Sequence, residues 1–155
     1  MQSSTIETEH QAMHLAIDAA RQALAAGDTP FGATLVSPEG TILHTSRNRQ
    51  NTSHDCTAHA ELVLVREATA RLGAQRLRGA TVFASGEPCA MCSGAMFWAG
   101  ISRVVFAATT QDISRILGGP VLPARCAEVL GPARPSVQVE EGLLREEAVA
   151  AMQGA

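Results

Sequence analysis

Two short runs decide how this chain is read: Thr57-Ala58-His59-Ala60-Glu61 and, further along, Glu87-Pro88-Cys89-Ala90-Met91-Cys92. They supply one imidazole and two thiols, ligands of the kind zinc takes, and three protein ligands leave a tetrahedral ion one position for water. Cys89 and Cys92 are three apart and share a helix face. In a first turn the positive end of the dipole favours thiolate over thiol. His59 and Glu61 stand two apart, about 200° around a helix wheel, so they cannot both ligate one ion from a helix flank. His59, Cys89 and Cys92 are therefore read as the ligands of one Zn2+ per chain, and Glu61 as the acid/base beside the water. Two other uses of these residues stay open: a closed zinc site with Cys56 or His54 as fourth ligand, and a metal-free C-x-x-C redox pair.

Around these runs the pattern is helix, hairpin, then alternating strands and helices. Met13, Ala16, Ile17, Ala20 and Leu24 recur at helical spacing within residues 7–26, and Gly27 to Pro30 end that element. Residues 33–37 and 41–45 read as a hairpin around Pro38-Glu39-Gly40. A polar loop covers 46–55. A second helix is expected from Thr57 or Ala58 to Leu72, a strand over 80–84 followed by a Ser85-Gly86-Glu87 turn, and a third helix over 89–99. Pro88 suits its opening. A strand over 103–108 then implies a right-handed parallel crossover. Beyond it come a short helix at 111–117, an aperiodic stretch at 121–135, a strand at 136–139 and a closing helix at 143–152.

At 155 residues the chain fits one domain spanning 1–155, because domains typically run about 100 to 150 residues. No apolar run approaches the roughly 18 residues of a membrane span, and the N-terminus lacks a secretory pattern, so the expected location is cytoplasmic. Four cysteines are too few for a disulfide scaffold, and Cys56 and Cys126 read as small buried hydrophobes. The formal charge is −3 with a pI near 5.9, and arginine is the only basic side chain besides histidine. Those arginines are dispersed among acids, which weighs against a nucleic-acid substrate.

H-x-E followed by P-C-x-x-C is already known as the signature of zinc-dependent deaminases. The chain resembles the cytidine deaminase superfamily, within it the branch of guanine deaminases, yeast-type cytosine deaminase and tRNA adenosine deaminases. The likeness extends from Pro30-Phe31-Gly32-Ala33 and Asn48 to about Ala108. It implies a three-layer α/β/α fold with a five-stranded mixed sheet between helices. It also implies a homodimer and a small heterocyclic amine as substrate, either free base or nucleoside. Carried over by position, Asn48 hydrogen-bonds the base, Phe31 stacks on it and the Ala60 backbone meets its polar edge. Plain core or turn roles stand beside these for Phe31 and Asn48. Trp98 matches a Tyr-Trp-Ala step of bacterial guanine deaminases and is read either as a pocket wall or as an anchor in the core or at a dimer interface. Guanine deaminases carry a Gly-Phe-Asp-Asp segment where this chain reads Arg115-Ile116-Leu117-Gly118-Gly119-Pro120, and Asp112 is the nearest acid available to serve the substrate. A tRNA or single-stranded nucleic-acid deaminase and a non-enzymatic zinc domain are the alternatives.

Overall fold

The computed structural model describes residues 2–154. Its elements are α1 (Gln2–Ala25), β1 (Gly32–Val36), β2 (Ile42–Arg47), α2 (Ala60–Leu72), β3 (Thr81–Gly86), α3 (Ala90–Trp98), β4 (Arg103–Ala108), α4 (Thr110–Leu117), α5 (Cys126–Leu130), β5 (Gln138–Glu141) and α6 (Arg145–Met152). The sheet order is β2-β1-β3-β4-β5. β1 is antiparallel to both β2 and β3, whereas β3–β4 and β4–β5 are parallel. The expected mixed five-stranded sheet between helices is present.

Side chains alternate across a strand, and the central strands use both faces. Val82, Ala84, Val104 and Phe106 pack with Leu64 of α2, Met96 of α3 and Leu130 of α5. Phe83, Val105 and Ala107 point the other way, toward Met13 and Ile17 of α1 and Ala148 and Met152 of α6. Burial on both faces explains why these strands read as continuous apolar runs. Gly32 permits the close approach of α1 to β1, since a Cβ there would lie 2.0 Å from the Ala16 carbonyl oxygen. Among the described residues no helix is long and apolar enough to cross a membrane.

Several boundaries differ from the sequence reading for local reasons. α2 begins at Ala60, not at Thr57 or Ala58, because Asp55 accepts the Thr57 N–H and hydroxyl at 2.9 and 2.7 Å and holds those residues in a turn. β3 runs through Ser85 and Gly86 instead of turning there, since Gly86 still pairs with Ala108. β5 lies two residues later than expected, and the aperiodic stretch holds the five-residue α5.

Candidate active site

The two runs converge where α2 and α3 begin, at the ends of β1 and β3. His59 is the N-cap of α2 and Cys89 the N-cap of α3, both with extended backbone. Cys92 stands in the first turn of α3 and is fully buried. Their ligating atoms all lie within 4.8 Å of one another, and His59 Nδ1 is 3.5 Å from Cys89 Sγ. Tetrahedral zinc, with Zn–S of about 2.3 Å and Zn–N of about 2.0 Å, sets its nitrogen and sulfur ligands about 3.5 Å apart. The donor set and its spacing fit that ion. Neither His54 nor Cys56 joins the group among the described residues, so no closed site is assembled. Cys56 is exposed, contrary to its reading as a buried hydrophobe, while Cys126 is buried as expected.

The electrostatics follow from burial and proximity. A hydrogen bond from Cys92, and then His59, pulls the Cys89 thiol down to about 4. Donating that bond pushes Cys92 upward. A cation at the centre of the pair favours ionisation of both thiols. Hydrogen bonding to Cys89 raises His59. Glu61, in the first turn of α2 and 5% exposed, is pushed up to about 7, chiefly by burial. A carboxyl near neutrality accepts and returns a proton with little driving force lost in either direction.

His59, Glu61 and Cys89 line one cavity of about 390 Å³ together with Phe31, Asn48, Gln50, Ala60, Gly86, Glu87 and Ile113, a volume in the range of small-molecule sites. Leu117, Pro120, Val121 and Leu122 form its outer side. Phe31 is packed against Gly86, where a Cβ would come within 2.6 Å of the ring. Asn48 both lines the cavity and closes its own loop. Its Oδ1 accepts the Gln50 N–H at 2.9 Å, and its Nδ2 donates to Gln50 Oε1 at 2.7 Å. Asp28, 3% exposed, holds the following residues by accepting from the Asn51 and Thr52 N–H groups and the Thr52 hydroxyl.

Two expected site residues lie elsewhere. Asp112 is absent from the cavity wall. Its carboxylate caps α4 through the Thr109 N–H and accepts from Arg145 at 2.6 and 2.7 Å. Arg145 first, with those bonds, holds it far below the usual carboxylate range. Trp98 is 84% exposed at the end of α3, edge-on to Phe97, so it is neither a wall of this cavity nor a core anchor. Glu87 is the reverse case: it belongs to the motif, but its place in the sequence alone assigns it no role. Its buried carboxylate accepts from the Thr110 and Cys126 N–H groups and from Arg125. Burial works to raise it, but those donors hold it low. An acid directly before Pro88 was the available signal.

A family model described as the cytidine and deoxycytidylate deaminase zinc-binding region matches residues 6–108. The chain is similar to guanine deaminase of Bacillus subtilis, 43% identical over 83 residues, covering 54% of this chain and 53% of that protein. It is also similar to tRNA-specific adenosine deaminase of the same organism, 41% identical over 96 residues, covering 62% and 59%. The matches span between a fifth and three-fifths of the length of the first curated relatives. A solved structure of guanine deaminase from Nitrosomonas europaea superposes with a TM-score of 0.78 at 27% identity, over 93% of this chain and 82% of the other.

Proposed function

The chain belongs to the cytidine and deoxycytidylate deaminase zinc-binding family, and from that premise we propose that it removes an exocyclic amino group, as ammonia, from an uncharged nucleobase-like heterocycle. The observation that carries this reading is the one cavity lined by His59 and Cys89 of the metal triad and by the buried carboxyl of Glu61. His59, Cys89 and Cys92 would hold zinc, which when bound would supply a Lewis acid able to acidify water toward neutrality. Glu61 then takes a proton from the attacking water and delivers it to the ring nitrogen beside the amino-bearing carbon. As the C–N bond breaks, Glu61 takes the remaining proton of the added hydroxyl and passes it to the departing amine, leaving a carbonyl and ammonia. Phe31 and the Ala60 backbone flank the ring, and Asn48 fixes its orientation.

No arginine is among the described residues lining the cavity, which favours a free base or nucleoside over a phosphorylated substrate. Guanine and cytosine come first. The Bacillus tRNA-specific adenosine deaminase supports a second reading, action on RNA, which requires binding that weakens steeply with salt. Exposed Trp98 supports a homodimer, read directly by light scattering of wild type and Trp98→Ala. The test of function is ammonia release by zinc-loaded protein from free bases and nucleosides, compared with Glu61→Gln. The variant retains zinc and loses at least about 100-fold in turnover; a fully active, zinc-loaded variant refutes the assignment.

A further inference from the structure

Gln50 lines the cavity, and the hydrogen bonds around it fix which way its amide points. The Gln50 backbone N–H can only donate, so the Asn48 atom it meets at 2.9 Å is the oxygen. The Asn48 amide is thereby oriented, and the atom it presents to the Gln50 side chain at 2.7 Å is Nδ2. A donor there requires an acceptor opposite, which makes the Gln50 atom Oε1 and leaves Nε2 directed elsewhere. Among the described residues no hydrogen bond engages Gln50 Nε2. Asn48 Nδ2 keeps a second hydrogen beyond the one it gives to Gln50.

The two nitrogens are close. Asn48 Nδ2 is 2.7 Å from Gln50 Oε1. One C=O of about 1.23 Å and one C–N of about 1.33 Å separate that oxygen from Nε2, so the nitrogens are at most about 5.3 Å apart. A single oxygen that accepts two N–H bonds of about 2.9 to 3.0 Å spans up to about 6 Å. We propose that Gln50 is a specificity-determining residue: its Nε2, with Asn48 Nδ2, grips a carbonyl oxygen on the substrate ring and selects amino-oxo heterocycles over diamino or purely amino ones. This rests on the deaminase reading of the site. A carbonyl oxygen has two lone pairs for two donors, whereas an amino group in its place meets donor with donor and leaves polar groups unpaired.

Gln50→Glu isolates the claim. A glutamate keeps an oxygen to accept from Asn48 Nδ2, so the loop retains its internal bond while the other amide group changes from donor to acceptor and a negative charge is added. The measurement is kcat/KM of zinc-loaded protein for guanine against 2,6-diaminopurine and for cytosine against 2,4-diaminopyrimidine, pairs that exchange one carbonyl for an amino group. Wild type favours the oxo member. Gln50→Glu loses at least about 100-fold on it and reverses the preference, with zinc content and unfolding midpoint unchanged. Gln50→Leu, which carries neither donor nor charge, weakens the oxo member about 10-fold more than its partner. A wild-type preference for the diamino member, or a ratio that moves less than about twofold in both variants, overturns the assignment. If zinc-loaded wild type releases ammonia from no heterocycle, the deaminase reading itself fails. Calorimetric binding of the same pairs then decides on Gln50 alone, and equal binding of both members overturns its role.

Discussion

Replacing Arg125 by methionine tests whether Glu87 ties the C-terminal part of the chain to the site. Glu87 is 1% exposed at its side chain and accepts four hydrogen bonds, two of them from Arg125 at 2.9 and 3.2 Å. Removing one partner of a fully buried ion pair costs about 3–5 kcal/mol, since the remaining charge is left uncompensated. Arg125 itself is 39% exposed, so solvent already screens part of the attraction, and the two backbone donors to Glu87 survive the change. The expected loss is therefore about 2–3 kcal/mol, and methionine keeps much of the apolar stem. Arg66→Met is the internal control, because its 3.4 Å pair with Asp55 is exposed on both sides and screened by solvent. Urea unfolding of zinc-loaded protein at pH 7 reads both. Equal losses in the two variants, within about 0.5 kcal/mol, refute the reasoning. Acid supplies the second check. Glu87 is held below its ordinary value of 4.5, so its contribution is fully present above that pH and is lost as pH falls through the lower folded value. The gap between wild type and Arg125→Met accordingly holds from pH 7 down to about 4.5 and narrows as pH falls further.

Asp28→Asn weakens the latch on Asn51 and Thr52; KM for the best substrate rises about 5- to 20-fold with kcat nearly unchanged, and steady-state kinetics check the split. Gly86→Ala drives its methyl to within 2.6 Å of the Phe31 ring, so the ring shifts, stability falls by about 1–3 kcal/mol and kcat/KM falls at least about 10-fold. Cys92→Ala removes a ligand, and metal analysis after dialysis finds zinc below stoichiometry with a lowered thermal midpoint.

How much of this was legible in the sequence depended on range. His59, Cys89 and Cys92 announce themselves because their residue types are rare and their spacing is dictated by one ion. The apolar runs of β3 and β4 were readable from burial on both faces. Glycine at 86 signals a turn locally, whereas pairing with Ala108 and contact with Phe31 keep it in the strand. The capping box of Thr109 and Asp112 was present as T-x-x-D. The nearness of Asp112 to the departing segment suggested a substrate role, whereas Arg145 had already claimed the carboxylate. Arg125 and Glu87 lie far apart in sequence, and no local pattern pairs them. Gln50 carried no signal at all until its amide was oriented by Asn48.

The cavity wall is made of two stretches of chain with different standing. His59, Glu61, Cys89 and Cys92, to which we assign metal binding and proton transfer, fall within residues 6–108, the span shared with the family. The outer side, from Thr110 through Ile113, Leu117 and Val121 to Leu122 and Ala124, comes from one contiguous segment beyond it. The outer wall of the cavity is thus encoded apart from the rest of its lining, in which Asn48 and Gln50 lie. A lineage could reshape that outer wall by drift or recombination in a dozen or so residues without touching the span shared with the family. An engineer can transplant that segment between relatives as a unit, with Glu87 and Arg125 marking the seam at which the graft must be rejoined.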